Sequence, residues 1–229
     1  MFALQWVAVA GQGQNPYGLS LTTTPEQLQL QADSQPALRL VALEGYIPNL
    51  RTQWVYAGKH NFTGRVLYQR PAAYLRAAAA TRLLRVADSL SKMGLGIWVF
   101  DAYRPYAVTL KMWEVVPDDR YAANPATGSG HNRGIAVDLT LYNLQTGQPL
   151  AMPTGFDSFS DTAHHDFDQL PSEVIKNRAL LKNLMESAGF VALPTEWWHY
   201  SLPQPKNYPL MDLSFKQLRH HWRRHHVRR

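Results

Sequence analysis

Three short segments of this sequence combine ionisable side chains with tryptophan, glycine or proline: Asp101–Pro105 (DAYRP), Ser129–Asp138 (SGHNRGIAVD) and Glu196–Tyr200 (EWWHY). The chain contains no cysteine, which excludes disulfides, thiolate metal sites and cysteine nucleophiles, so a metal ion would need His, Asp or Glu ligands. His131, Asp138 and His199 offer two imidazoles and one carboxylate. Such a set, with a fourth position left open for water, is typical of catalytic rather than structural zinc.

Asp138 is unusual because it lies inside the apolar run GIAVDLTLY. A carboxylate in such a place is costly unless it is paired, hydrogen-bonded or bound to a cation. His131 lies seven residues earlier, and this odd offset would put the two side chains on opposite faces of a straight strand. Convergence therefore requires a bend, which Gly134 permits.

Two further charged residues fit metal-dependent hydrolysis. Glu196 lies three residues before His199 and could act as general base on a water molecule, while Arg104 could stabilise an oxyanion with its permanent charge. Each also has an ordinary interpretation, as a solvated glutamate or as an arginine that forms a structural ion pair with Asp101. The common zinc-peptidase motif HEXXH is absent. From spacing alone, metal-dependent hydrolysis is therefore one hypothesis among several.

Hydrophobic periodicity and terminating residues predict the elements that position these groups. We expect helices over Pro71–Gly94, Tyr106–Val115 and 172–188, the last with Ser172 as N-cap. We expect strands over Leu95–Tyr103, Gly134–Tyr142 and Trp197–Leu202, after a β-like stretch at 37–48. Strands and helices mix without a regular βαβ rhythm. The prediction is therefore a single α+β domain, with a largely antiparallel central sheet flanked by helices.

Composition supports a folded domain, because 45% of the 229 residues are hydrophobic and 17% are charged. No apolar span is long enough to cross a bilayer. Phe2–Ala10 is apolar, but no Lys or Arg precedes it as in a signal peptide. We interpret it as an ordinary N-terminal segment, and the sequence leaves the compartment open between cytoplasm and periplasm.

The net charge of +6 belongs to the C-terminal end. Six of the 23 Lys and Arg residues lie in 216–229, which has no acidic residue, so the remaining 17 balance the 17 Asp and Glu residues. We predict a domain over 1–215 and a basic, His/Arg-rich tail over 216–229. The high isoelectric point is therefore no indication of specific nucleic-acid binding. The tail is interpreted as a solvated tail or surface helix, or as a segment that makes weak contact with an anionic surface.

The strings DAYRP, SGHNRGIAVDLTL and EWWHY resemble the signatures of the zinc D-alanyl-D-alanine dipeptidases of the VanX type, which have the D,D-peptidase/hedgehog-like fold. The string NFTGR at Asn61–Arg65 is similar to the N-terminal half of that family. The resemblance extends, with gaps, from about residue 40 to residue 205. The order of the two histidine-containing motifs makes a chance match improbable.

This resemblance implies one zinc ion per chain, bound by His131, Asp138 and His199. It implies that Glu196 is the catalytic base and that Arg104 stabilises the transition state. The implied reaction is hydrolysis of the dipeptide D-Ala-D-Ala in peptidoglycan metabolism.

The resemblance also implies three residues around the substrate. Ser129 would help to position the substrate, at its carboxylate, and Asp157 would receive its free ammonium group. Asp101 would orient Arg104 or its neighbours. An acidic residue at the amino end selects a free dipeptide, because longer chains lack the ammonium charge at that point.

Three other functions remain open from the sequence. The first is a D,D-carboxypeptidase or other murein peptidase of the same fold that acts on longer peptides. The second is a non-catalytic zinc-containing module that binds wall fragments or a protein partner. A nucleic-acid binder that uses the basic tail is the third and most distant.

Overall fold

The structure is a computed structural model that describes residues 15–119 and 121–226, with side chains up to residue 221. The prediction for Phe2–Ala10 lies outside the described residues. Within this part of the chain, the α-helices are α1 (Pro25–Ser34), α2 (Ala77–Ser91), α3 (Tyr106–Trp113), α4 (Ser172–Ser187) and α5 (Phe215–His226). The strands are β1 (Leu21–Thr22), β2 (Leu40–Ala42), β3 (Arg51–Thr52), β4 (Tyr74–Arg76), β5 (Leu95–Asp101), β6 (Ala136–Asn143), β7 (Val191–Ala192), β8 (His199–Ser201) and β9 (Leu210–Met211).

The central sheet has the strand order β3-β5-β6-β8-β7. The pairs β5–β6, β6–β8 and β7–β8 are antiparallel, and only the short edge strand β3 runs parallel to its neighbour β5 within this sheet. Two small sheets, β1–β9 and β2–β4, lie outside it. The predicted α+β class with a largely antiparallel central sheet is confirmed.

Helix α2 packs on this sheet because its apolar residues recur at steps of three and four. Ala79, Leu83, Val86 and Leu90 are all at most 2% exposed and belong to the same core as the apolar residues of β5 and β6. Burial of an apolar face of this kind is what stabilises a helix in a small domain. The core therefore lies directly beneath the strands that carry Asp101 and Asp138.

One predicted helix start and one predicted N-cap are wrong. The helix expected from Pro71 begins at Ala77, because Tyr74–Arg76 pairs with Leu40–Ala42 as strand β4. Leu75 matched the helical spacing, but the non-local pairing decides its conformation. Ser172 is the first residue of α4 rather than its N-cap; the N-cap is Pro171, which makes no side-chain cap.

Helix α5 begins at Phe215, the last residue of the predicted domain, and continues into the predicted tail. Phe215 and Leu218 are buried against a second core that includes Leu28, Tyr68 and Tyr103. The first turn of α5 thus packs on the domain, while the division at residue 215 stays a prediction. Across the described ranges, no helix has the length and apolar character needed to span a membrane.

Candidate active site

Three neighbouring strands place Asp101, Asp138 and His199 in one row across the sheet. Asp138 in β6 stands opposite Asp101 of β5 on one side and opposite His199 of β8 on the other. The register of β5 shifts between Val99 and Asp101, so that Phe100 is an extra residue on that strand. Such a bulge re-aims the following side chain. It brings Asp101 level with Asp138.

His131 reaches the same place from the turn before β6. Its Nε2 lies 3.3 Å from an oxygen of Asp138. Gly134 has φ +68°, which allows the chain to turn back as the sequence analysis expected. Gly130 permits a close approach of the turn to β8, because a Cβ there would lie 2.7 Å from the hydroxyl of Ser201.

The three side chains form a compact cluster that can hold a metal ion. One candidate ligand atom from each of His131, Asp138 and His199 lies within 4.8 Å of the others. Nδ1 of His199 lies 2.8 Å from Asp138 and 3.2 Å from Nε2 of His131. Burial alone would raise the pKa of Asp138, but the two imidazoles hold that pKa well below its usual value.

The orientation of His131 also fits a metal ligand. Its Nδ1 donates to the carbonyl of Ala102 at 2.7 Å, which fixes the tautomer and leaves Nε2 as the free nitrogen. Two imidazole nitrogens and one carboxylate oxygen then face a common point. This donor set suits zinc with one open position.

Arg104 borders the cluster and is paired with Asp101. Nε and Nη2 of Arg104 lie 2.9 Å and 2.8 Å from the same oxygen of Asp101. The hydroxyl of Tyr68 donates to this carboxylate at 2.8 Å, and the backbone N–H of Ala102 donates to it at 2.9 Å. Asp101 is fully buried, and its two contacts with Arg104 hold the plane of the guanidinium.

Asp157 lines the same cavity as Arg104 and the three-residue cluster. It accepts a hydrogen bond of 2.8 Å from the hydroxyl of Tyr56, and its φ is +60°. A left-handed conformation is uncommon for a non-glycine residue, although Asp tolerates it better than most. Burial raises the pKa of Asp157 to about 7, although the Tyr56 hydrogen bond opposes this rise.

Glu196 and Ser129 complete the set of predicted residues. Burial raises the pKa of Glu196 to about 7, while the nearby His199 acts to lower it. The hydroxyl of Ser129 accepts a hydrogen bond of 3.1 Å from the backbone N–H of Asn132. Both residues are partly buried.

One cavity of about 170 Å³ brings these groups together. Seven predicted residues line it: Arg104, Ser129, His131, Asp138, Asp157, Glu196 and His199. The eighth, Asp101, lies behind Arg104. The volume is below the ~300–1,000 Å³ of drug-sized ligand pockets, so the cavity suits a small ligand.

Three further residues support the site, and no local sequence pattern indicates them. Tyr56 and Tyr68 donate to the carboxylates of Asp157 and Asp101, respectively. The fully buried amide of Asn132 donates to the carbonyl of Arg104 at 2.9 Å and accepts from the backbone of Ser129 at 2.9 Å. Buried tyrosines usually need a polar partner, but the sequence does not say which one.

Comparison with known proteins gives consistent matches. The model of the Peptidase_M15 family, described as D-ala-D-ala dipeptidase, matches residues 36–218. The D-alanyl-D-alanine dipeptidase of Escherichia coli (strain K12) is 37% identical over 176 residues, which cover 77% of this chain and 91% of the relative. The dipeptidase of the same name from Enterococcus faecalis (strain ATCC 700802 / V583) is 31% identical over 189 residues, covering 72% and 94%.

Two solved structures are more distant. The D,D-pentapeptidase VanY in complex with Zn(II) has a TM-score of 0.37 and 15% identity, with 61% of this chain and 78% of that chain covered. The LdcB LD-carboxypeptidase has a TM-score of 0.40 and 16% identity, with 73% and 69% covered. The family match over residues 36–218 and the two dipeptidase relatives show that the chain belongs to the D-Ala-D-Ala dipeptidase family of metallopeptidases.

Proposed function

We propose that this enzyme hydrolyses the free dipeptide D-Ala-D-Ala with one zinc ion per chain, held by His131, Asp138 and His199. The observation that carries the proposal is one small cavity whose walls include the three-ligand cluster and the carboxylates of Asp157 and Glu196. Family membership supplies the substrate class. The following roles are argued from the chemistry of the residues that line the cavity.

The ligand set is the first part of the proposal. The cluster offers two imidazole nitrogens and one carboxylate oxygen, which is the donor set that zinc prefers when it keeps an open position. Zinc in such a set acts as a Lewis acid and lowers the pKa of bound water to about 7. The hydrogen bond from His131 to the carbonyl of Ala102 keeps the ligand nitrogen available.

Glu196 is the proposed general base. Its pKa of about 7 lies close to neutral pH, where a group can both accept and return a proton. It takes a proton from the attacking water and delivers it to the amine nitrogen that leaves when the peptide bond breaks. One carboxylate thus serves both proton transfers.

Arg104 is the proposed donor to the oxyanion that develops on the carbonyl oxygen. The Asp101 carboxylate binds two of its nitrogens, so the guanidinium needs no reorientation during the reaction. Preorganised donors of this kind stabilise charge that appears only in the transition state.

The two ends of the substrate are assigned to Asp157 and Ser129. An ionised Asp157 pairs with the free ammonium group, and a peptide blocked at that end would leave a buried carboxylate unpaired. The hydroxyl of Ser129 accepts from Asn132 and keeps its own hydrogen to donate to the substrate carboxylate. The cavity thereby favours a free dipeptide over a longer peptide.

The main test is Glu196→Gln. We expect the variant to bind one zinc ion per chain, measured by plasma mass spectrometry, and to lose about 100- to 10,000-fold in kcat for D-Ala-D-Ala. Glu173→Gln, an exposed glutamate in the first turn of α4, is the matched control and should keep both properties. Full activity of Glu196→Gln would refute its role as base.

The choice between a dipeptidase and a carboxypeptidase needs a second substrate. N-acetyl-D-Ala-D-Ala lacks the ammonium group that Asp157 is proposed to bind. We expect the enzyme to cleave it far more slowly than the free dipeptide. Equal rates would favour a D,D-carboxypeptidase that acts on longer peptides.

A further inference from the structure

Three aromatic side chains from separate loops meet beside Asp157. The ring of Phe159 lies 4.6 Å from that of Tyr121 and 5.5 Å from that of Phe62, measured between centroids. Phe62 and Tyr121 both line the cavity. We call Phe62, Tyr121 and Phe159 the aromatic clasp.

The Phe62 side of the clasp is firmly anchored. The ring of Phe62 packs edge-on against that of Tyr56, with centroids 6.2 Å apart. The side-chain amide of Asn61 donates to the carbonyls of Gly58 and Arg65, both at 2.8 Å, and closes this loop on itself. Phe62 is therefore a fixed wall of the cavity.

Phe159 is held close to the proposed ammonium site because it follows Asp157 by two residues. The left-handed conformation of Asp157 turns the chain at this point. The hydroxyls of Ser158 and Ser160 lie 3.0 Å apart, on either side of Phe159. Although Phe159 is 39% exposed, its ring joins the loops of Phe62 and Tyr121.

We propose that Phe159 is a specificity-determining residue that limits the size of the amino-terminal residue of the substrate. This inference rests on the proposed function, in which Asp157 holds the ammonium group. The side chain next to that ammonium group then faces the cavity walls formed by Phe62 and Tyr121. Phe159 ties these walls together, so a methyl group fits and a larger side chain has to displace a ring.

The clasp acts by shape rather than by charge. Its rings form an apolar surface, to which a large hydrophobic side chain of a substrate would bind well if there were room. The clasp can therefore reject large side chains only by leaving too little space for them. A single methylene in a confined pocket changes kcat/KM by about 10- to 200-fold. Removal of the Phe159 ring should therefore raise kcat/KM for larger substrates relative to kcat/KM for D-Ala-D-Ala.

The test compares D-Leu-D-Ala with D-Ala-D-Ala, since both keep the free ammonium group. For Phe159→Ala we expect the ratio of their kcat/KM values, D-Leu-D-Ala over D-Ala-D-Ala, to rise at least about tenfold. Phe159→Tyr should retain the original ratio, because it preserves the ring. Met93→Ala removes an exposed apolar side chain (56% exposed) two residues after the end of α2 and serves as the control. An unchanged ratio in an active Phe159→Ala enzyme would overturn the proposal.

Failure of the proposed function would look different. In that case neither the unaltered protein nor any variant would cleave D-Ala-D-Ala, and calorimetric titration could then measure the binding of both dipeptides without turnover. The clasp predicts that Phe159→Ala brings the two dissociation constants closer together by a similar factor. Equal discrimination in both proteins, or no binding of either dipeptide, would refute it.

Discussion

Two buried arginines, Arg76 and Arg104, show how the same side chain serves different purposes in one domain. Arg76 is 0% exposed and Arg104 is 7% exposed. Both must replace the hydrogen bonds that the guanidinium loses to water. They do so with different partners, and the difference separates a structural arginine from one that is available for chemistry.

The guanidinium of Arg76 donates hydrogen bonds to uncharged oxygens in four different segments of the chain. Its Nε donates to the carbonyl of Arg133 at 3.2 Å, and Nη1 donates to that of Leu38. Its Nη2 donates to the side chain of Gln31 at 3.1 Å and to the carbonyl of Pro209 at 3.4 Å. Burial lowers the pKa of Arg76 to about 10. Its contacts therefore tie distant parts of the chain together.

Arg104, in contrast, is paired with a carboxylate and borders the cavity. Burial alone would lower its pKa, but the carboxylate of Asp101 outweighs this effect and holds the pKa well above its ordinary value. Its guanidinium also lies over the ring of Tyr56, with Cζ 5.5 Å from the ring centroid, and lines the cavity. A charged donor that one carboxylate holds in place at the cavity wall is suited to a developing negative charge.

Of the changes at the two arginines, Arg104→Lys should cause the larger loss of activity. The lysine keeps the positive charge but loses the planar fork that Asp101 orients. We expect kcat for D-Ala-D-Ala to fall about 100- to 1,000-fold, with a smaller change in KM. Steady-state kinetics on the zinc-loaded enzyme measure this, with the exposed Arg39→Lys as control. A loss below about threefold would show that the guanidinium is not used in the transition state.

Arg76→Met should affect folding rather than turnover. It removes the donors to four buried or partly buried oxygens, and we expect the free energy of unfolding to fall by about 2–4 kcal/mol. Denaturant titration measures this loss, and kcat of the folded enzyme should stay within about fivefold of the original. An activity loss as large as that of Arg104→Lys, in protein that remains folded, would contradict the distinction between the two arginines.

The smallest expected effect is a change in the pH dependence of 1/KM. Burial raises the pKa of Asp157 to about 7, and the charge of Arg104 is one of the influences that lower it. As the pH falls through this value, Asp157 takes up a proton and loses its attraction for the substrate ammonium group, so 1/KM should decrease. Arg104→Gln should move this decrease to higher pH, whereas Arg76→Met should leave it in place.

The control for this experiment is Asp157→Asn. It cannot ionise, so the decrease of 1/KM near pH 7 should disappear, and KM should rise chiefly above pH 7, where the Asp157 of the unaltered enzyme is ionised. A pH profile of KM that is unaltered by Asp157→Asn would assign the titration to another group. Measurement of KM between pH 5 and pH 8 is sufficient for all four proteins.

The candidate site could be located from the sequence because ionisable residues stand out within apolar segments. Asp138 could be recognised as a charged residue in an apolar run, and Gly134 as the place for a bend. The structure brings His131 and His199 next to Asp138, which local spacing could only suggest. The roles of these residues in zinc binding and catalysis stay predictions.

The supporting residues could not be found in this way, because their partners are distant in sequence. Tyr56 and Asp157 are 101 positions apart, and Tyr68 and Asp101 are 33 positions apart. No local pattern encodes such a pair. The same applies to β4, where Leu75 satisfied a helical repeat but pairs with Val41 of a strand far back in the chain.

The backbone register of the central sheet has a consequence for how this enzyme can change. Loss or gain of one residue within β6 would send Asp138 to the other face of the sheet, away from His199. The segments that carry Asp157 and Phe159 lie outside the strands and have no such constraint. Insertions and deletions in these loops can therefore alter the substrate range of the peptidase. Insertions or deletions within β6 would instead disrupt the candidate metal site.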